Sequence, residues 1–219
     1  MRIIAGQYRS RVLEAPVGMA TRPTSDRLRE TLFNVLAPRM EGCAFADLYA
    51  GSGAVGLEAL SRGAARVVCV ERGPAALKAL RGNLARLGVK EGVRVEAASV
   101  AAWLKRAQGP WDIVFLDPPY DAEEEYERAL GALGGGAVLS RSHDSTPHAE
   151  VNPGGEIVPS HPKRDAFRVG HPILAEGAVV IAEHRRKMKL EDRYGGLRRV
   201  RLLEQGDAAL SFYETAVSC

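Results

Sequence analysis

The sequence predicts an α/β fold built on a doubly wound, mostly parallel sheet, and three observations lead there. From Ala44 onward, short apolar runs alternate with stretches of helical periodicity. The first run ends in a glycine-rich turn, Asp47-Leu48-Tyr49-Ala50-Gly51-Ser52-Gly53-Ala54-Val55-Gly56, and the fourth ends in Asp117-Pro118-Pro119-Tyr120. Strand–helix alternation of this kind makes a parallel sheet that gathers ligands at the carboxyl ends of its strands.

Residues 2–13 read as two short strands broken near Gly6, a small N-terminal β-hairpin that sets Arg9 and Arg11 on one strand face. After Arg22-Pro23, Thr24 or Ser25 caps a helix that carries Leu28, Leu32, Val35 and Leu36 on one side, with Arg22, Arg27 and Arg29 near its start. Strands are expected at 44–49, 66–71, 93–96 and 111–116, with helices at 54–61, 74–87, 100–106 and 122–133. Pro74 suits a first helical turn, where its missing N–H costs nothing. Residues 140–172 are rich in Ser, His, Pro and Gly without a periodic apolar face, and read as a loop-like insertion. Strands resume at 178–183, 198–203 and 209–215, the last two closing a hairpin at Gln205-Gly206-Asp207. The division is an extension over 1–39 and a main domain over 40–219.

Composition narrows the function classes. The 219 residues can bury a sizeable core, and no apolar run reaches the roughly 20 residues of a membrane span. The start Met1-Arg2-Ile3-Ile4-Ala5-Gly6 has no signal-peptide core, so a cytoplasmic protein without membrane contact is expected. Cys43, Cys69 and Cys219 show no paired spacing, and Cys43 and Cys69 read as buried free thiols. Four of the five histidines (143, 148, 161 and 171) match no zinc pattern, so no metal is expected. Charge is segregated. Arg2, Arg9, Arg11, Arg22, Arg27 and Arg29 crowd one end, and eight Arg/Lys fall between Arg185 and Arg201. Basic ends around a near-neutral middle point to a polyanion partner.

The glycine turn succeeds a strand and opens a helix, which lets a ligand approach the backbone closely. Gly51-x-Gly53-x-x-Gly56 with Glu71 twenty residues after Gly51 also fits a dinucleotide site, the acid receiving ribose hydroxyls. Asp47 favours a different nucleoside cofactor. A carboxylate four residues before the first glycine repels a pyrophosphate, yet it suits the cationic amino-acid end of S-adenosylmethionine, directly or through water.

Asp117-Pro118-Pro119-Tyr120 ends the fourth strand on the same edge. Two prolines fix the backbone and remove two donors, leaving carbonyl acceptors. The exocyclic amine of a base is a poor nucleophile because its lone pair is delocalised into the ring. The Asp117 carboxylate and the Pro118 carbonyl can hold its hydrogens, while Tyr120 stacks on an extracted base. Positioning and electrostatics then suffice, with no metal.

An Asp-Pro-Pro-aromatic motif after an Asp-x-x-x-Gly-x-Gly loop resembles the amino-methyltransferases of nucleic acids. More narrowly, the chain resembles the RsmD family in Arg2-Ile-Ile-Ala-Gly-Gln-Tyr-Arg9, in Arg22 to Asn34, in Ala50 to Leu60, in Asp117 to Tyr120 and in Asp207 to Tyr213. The resemblance implies a seven-stranded Rossmann-like methyltransferase sheet whose last strand is antiparallel. It implies methyl transfer from S-adenosylmethionine to the N2 amine of a guanine in small-subunit (16S) ribosomal RNA, free or within an assembling subunit, by a monomer. A DNA adenine-N6 or cytosine-N4 methyltransferase is the alternative. The same resemblance puts Asp47, Tyr49, Ala50, Gly51, Ser52 and Gly53 around the methionine part, Glu71 at the ribose, and Ser99 and Val100 beside the adenine. Asp117 borders both cofactor and base, and the stretch from Arg22 to Asn34 lies over the cofactor facing the RNA, with Arg9, Arg11, Arg22, Arg27 and Arg29 as phosphate contacts.

Overall fold

Ala44–Leu48 (β1) is buried along its whole length, as a central strand must be when both of its faces are covered. It pairs in parallel with Arg66–Glu71 (β2) on one side and Trp111–Leu116 (β4) on the other, and β2 pairs with Val93–Ala97 (β3). Beyond β4 lies Leu174–Arg185 (β7), also parallel. Ala208–Thr215 (β10) then runs antiparallel between β7 and Leu197–Gln205 (β9). Arg193–Tyr194 (β8) adds a short edge, so the sheet has eight strands in the order β3-β2-β1-β4-β7-β10-β9-β8. This computed structural model describes residues 1–15, 26–119, 122–135, 150–151, 157–158 and 173–215.

The sheet exceeds the expected seven strands by β8, whose two residues fold back through Gly195-Gly196 onto Leu197 and Arg198. The last strand is antiparallel, as expected. In the stretch that reads as a loop, Glu150–Val151 (β5) and Ile157–Val158 (β6) pair antiparallel. Two-residue strands leave no periodic signal to read. The four histidines at 143, 148, 161 and 171, and Cys219, lie outside the described residues.

Strand alternation sends the core to two sides. Asp26–Leu36 (α1), Ala54–Ser61 (α2) and Pro74–Leu87 (α3) cover one face, where Leu32, Phe33, Val55 and Leu80 meet Phe45, Val67, Ile113, Phe115 and Ile181. Val100–Leu104 (α4) and Glu123–Leu133 (α5) cover the other, where Trp103, Tyr126 and Leu130 meet Ala46, Leu48, Val114, Leu116 and Val180. Odd-numbered residues of β1, of β4 from Ile113 on and of β7 from Val179 on therefore face α1 and α2. Trp111, before an irregularity in the β4–β7 register, packs on the other side. Cys43 and Cys69 are buried and free. No helix among the described residues is long and apolar enough to cross a membrane.

The N-terminal segment doubles back on itself, Ile3 N bonding the Arg11 carbonyl and Leu13 N the Met1 carbonyl, but without the two strands expected. A single bridge joins Arg2 to Val12, and turns fill the interval, with Ser10 at φ 66°. A stronger anchor decides its shape. Glu58, buried on α2, accepts from the backbone N–H of Ile4 at 2.7 Å and of Ala5 at 3.0 Å, and from Arg62 Nε at 2.6 Å. Ser61 Oγ adds bonds to Tyr8 N and Ala5 O. These side chains satisfy the N–H groups of Ile4, Ala5 and Tyr8, which the fold-back does not pair. Arg9 and Arg11 therefore do not share a strand face.

The same anchor draws in Arg29. Its guanidinium has no exposed surface; Nη2 bonds the Arg2 carbonyl and Asp26 Oδ1, and Nε lies 3.8 Å from Glu58. Arg29, expected to reach RNA, is instead an internal tie between the N-terminal segment, α1 and α2. Glu58→Ala should cost about 3–5 kcal/mol in urea unfolding, because it removes the buried acid beside Arg29 and the acceptor of the Ile4 and Ala5 N–H groups. Residues 1–15 of that variant should become protease-sensitive; resistance like that of the parent would refute the anchoring role.

Candidate active site

β1 ends in the glycine turn, and two close approaches set the shape of that turn. Asp47 Oδ2 accepts from Gly56 N at 2.8 Å, binding the strand end to the first turn of α2. A Cβ on Gly56 would meet Cys69 Sγ at 2.7 Å and Asp47 Oδ2 at 3.1 Å, so only glycine lets helix and sheet come this close. Gly53 has φ 81°, and a Cβ there would strike Leu80 Cδ1 at 2.3 Å. Gly51 differs. Its φ is 57°, but nothing stands within 4 Å of where its Cβ would be, so its backbone borders open space.

Glu71 ends the neighbouring strand and reaches across to the turn. Its Oε2 accepts from Gly51 N at 2.8 Å, while Oε1 accepts from Gly73 N at 2.7 Å and Arg72 N at 2.8 Å. Tyr49 adopts φ 65°, an unusual backbone for a bulky residue, and its hydroxyl donates to Glu125 on α5 at 2.7 Å. Ala50 and Ser52 are buried in the turn. Asn83 of α3, buried, donates to the Ser52 carbonyl and accepts from Glu14 N, so the turn and the N-terminal segment share one amide. Ser99 caps α4 through Ala102 N at 3.2 Å, and Val100 behind it is buried. Ala98 N donates to the Glu71 carbonyl at 3.0 Å, which ties the end of β3 to the same edge.

Asp117 leaves β4 beside this turn, its N–H 3.4 Å from the Leu48 carbonyl. Pro118 is buried and Pro119 exposed; the Pro119 carbonyl accepts from Ala122 N at 3.0 Å, turning the chain into α5. Tyr120, the expected stacking residue, lies outside the described residues. Asp47, Gly51, Gly53, Glu71, Ser99 and Asp117 thus lie along the carboxyl edge of the sheet, at the reversal of winding between β1 and β4 where such sheets take ligands in a crevice.

The crevice concentrates negative charge. Burial is the main reason the Asp47 carboxyl is pushed up to about 7; the Gly56 N–H opposes this and the Glu71 charge adds to it. Asp117 is raised well above the carboxylate range, first by burial and then by Glu183 and Asp47. Glu183 is a member of this group that the sequence motifs do not single out. Because Leu116 pairs with Ala182, Glu183 stands beside Asp117 on the next strand, and odd numbering puts both on the face of Asp47. Its signal in the sequence is an acid closing an apolar run. Asn83 offers none, being one polar residue within a helix. Among the described residues, no group of three His, Cys, Asp or Glu side chains could hold a metal ion.

Of the basic residues expected to meet RNA, Arg9 and Arg27 are exposed and share with Arg2, Asp26 and Glu30 a cleft of about 360 Å³. Arg11 is exposed outside that lining, and Arg22 lies beyond the described residues.

The sheet order and the crevice define a methyltransferase-like α/β fold. A solved structure described as "Putative methyltransferase yhhF from Escherichia coli" superposes with a TM-score of 0.73 at 30% identity, covering 100% of this chain and 99% of that one. Residues 1–145 match the family described as "Conserved hypothetical protein 95", and the chain belongs to that family. It is 31% identical over 219 residues to "Putative rRNA methyltransferase YlbH" of Bacillus subtilis, covering 98% of each. It is 47% identical over 120 residues to "Ribosomal RNA small subunit methyltransferase D" of Escherichia coli K12, a match that spans 55% of this chain and 60% of that protein.

Asp47→Asn isolates the cost of the buried charge while an amide oxygen can still accept from Gly56. The folded value of about 7 lies above the ordinary 3.8, so the parent loses stability as pH rises from about 4 to about 7. The variant should melt above the parent at pH 8, with the difference vanishing near pH 4. A difference independent of pH would mean that folding does not raise the Asp47 pKa into this interval.

Proposed function

We propose that this chain transfers a methyl group from S-adenosylmethionine to the exocyclic N2 amine of a guanine in small-subunit ribosomal RNA. The observation that carries the reading is the meeting of the Asp117-Pro118-Pro119 strand end with the Asp47–Gly56 turn on one carboxyl edge, 3.4 Å apart at Asp117 N and Leu48 O. The names of the relatives support the choice of RNA.

The residues fit this cofactor. The open space at Gly51 admits a ligand against the backbone, and the acids around it suit a cation more than a pyrophosphate. The cofactor supplies an electrophilic methyl group on a sulfonium. Asp47 and the turn from Tyr49 to Gly53 hold the methionine part, Glu71 the ribose, and Ser99 with Val100 the adenine. A cation beside Asp47 favours its ionised form, so binding releases protons where Asp47 would otherwise be neutral.

Asp117 and the Pro118 carbonyl accept the hydrogens of the target amine and aim its lone pair at the methyl group; Tyr120 stacks on the base. As the new N–C bond forms, the nitrogen must lose one proton. Ionised Asp117 takes it, and the same burial and neighbouring acids that raise its proton affinity suit it to that step. Arg9, Arg11, Arg22 and Arg27 hold RNA phosphates around the crevice.

The direct test supplies labelled cofactor and small-subunit RNA or particles lacking the modification, then maps the methylated base. Transfer to an adenine or cytosine of DNA, with none to RNA, would overturn the reading. Asp117→Ala should lower methyl transfer on the order of 10²–10⁴-fold with cofactor affinity nearly unchanged. Glu71→Ala should weaken cofactor binding in calorimetry, having lost both a ribose acceptor and the brace on Gly51. Equal affinity would remove Glu71 from the site.

A further inference from the structure

The second basic cluster, Arg185 to Arg201, is divided by the fold. β7 runs parallel to β4 and continues past it: Leu116 pairs with Ala182, whereas β7 ends at Arg185. Arg185 therefore stands two residues, roughly 7 Å, beyond the level of Asp117 and about 5 Å to its side. Arg186 and Lys187 form the next turn, at the catalytic edge.

The far end of the cluster lies elsewhere. Arg193 pairs with Arg198, and the β9–β10 ladder sets Arg198 opposite Glu214, which pairs with Val179. Val179 lies four residues before Glu183, so Arg193 and Arg198 sit roughly 13 Å below the level of Asp117, toward the opposite edge. Two pairs of exposed arginine and lysine side chains, close in sequence, thus occupy different ends of the sheet.

The turn is held rigidly. Arg186 N donates to the Asp207 carbonyl at 2.8 Å and Met188 N to the Arg185 carbonyl at 2.9 Å, while Met188 and Leu190 pack into the core on the α5 face. Arg199 Nη1 and Tyr213 Oη secure the Leu190 and Glu191 carbonyls. Arg186 and Lys187 are exposed, and neither joins an ion pair with a described residue. Cations on a fixed turn lose little backbone freedom on binding, and uncommitted ones need give up no partner.

We infer that Arg186 and Lys187 form an RNA-phosphate subsite that holds the strand flanking the target base. The inference rests on the proposed RNA substrate and assigns a second anchoring point to it. α1 reaches the same edge: Thr31 Oγ1 donates to Gln205 Oε1 at 3.1 Å, one helical turn after Arg27, and Gln205 pairs with Ala208, which pairs with Arg185. Basic side chains therefore approach the crevice from α1 and from the β7 turn.

The test compares two variants with equal loss of charge, Arg186→Ala/Lys187→Ala and Arg193→Ala/Arg198→Ala, in fluorescence-anisotropy titrations of a small-subunit RNA fragment between about 50 and 300 mM salt. The first pair should flatten the log–log salt dependence by roughly 1.4–1.8, the value for two lost phosphate contacts, and weaken binding about tenfold at about 0.15 M salt. The second should leave the slope at the parental value. Equal shifts in both pairs, no shift in the first, or no RNA binding by the parent would each overturn the subsite. A parent that binds with the predicted slopes but methylates no RNA would retain the subsite and sink the enzymatic reading. Active parent protein with an unshifted first variant would do the reverse. Unchanged calorimetric affinity for S-adenosylmethionine in both pairs excludes misfolding as the cause.

Discussion

The hydrogen bond from Gly56 to Asp47 closes the turn on which the crevice depends. It joins the end of the central strand to the first turn of α2, and the intervening residues must bulge outward to span the distance. That bulge puts Tyr49 at φ 65° and Gly51 at φ 57°, and it turns the Gly51 backbone toward open space. The bond is available only because residue 56 has no side chain; a methyl group there would press on Cys69 and Val67 of the adjacent strand. Helix, strand and ligand surface are thus set by one close approach. Glu71 then braces the outer side of the turn from β2 through Gly51 N.

The cost of this arrangement is electrostatic. Asp47, Asp117 and Glu183 lie on one face of adjacent strands, with Phe115 and Ile181 beneath them in the apolar layer. Burial first, then the charge of Glu71 beside Asp47 and those of Glu183 and Asp47 beside Asp117, raises the proton affinity of Asp47 and Asp117. Such a cluster is stable only while protonated or while a cation is near. A sulfonium and an ammonium group on one ligand would relieve both acids together, which links cofactor binding to proton release. The excess of acid inside the crevice also explains why the basic side chains stand around it and not within it. Phosphates are drawn to the rim while the floor stays suited to a cation.

Much of this is legible in the chain. β2, β4, α2 and α3 have the boundaries that periodicity and Pro74 indicate, because each is long enough to show its period and is stopped by glycine or proline. Both motifs lie where the strand order brings them together. The N-terminal segment misleads because Ile3, Ile4, Val12 and Leu13 look like strand residues, and nothing local shows that Glu58, more than fifty residues away, claims the backbone of Ile4 and Ala5. Arg29 misleads for the same reason. On a helix its charge suggests solvent, and only the tertiary contacts of Glu58 and the Arg2 carbonyl make burial tolerable. Side chains whose partners are distant in sequence are the ones that composition cannot assign.

Glu58 and the β7 turn brace the proposed RNA-binding edge at two places. On one side, the Arg9–Arg27 cleft inherits its shape from the N-terminal segment, which hangs on Glu58 and Ser61 of α2. On the other, the Arg186–Lys187 turn inherits its shape from β7 and the β9–β10 hairpin. The first support also reaches the glycine turn, because Asn83 bonds both Glu14 and the Ser52 carbonyl. Under the proposed function, phosphates held on separate, well-braced elements would leave the strain at Tyr49 and the charge at Asp117 to the cofactor and the base.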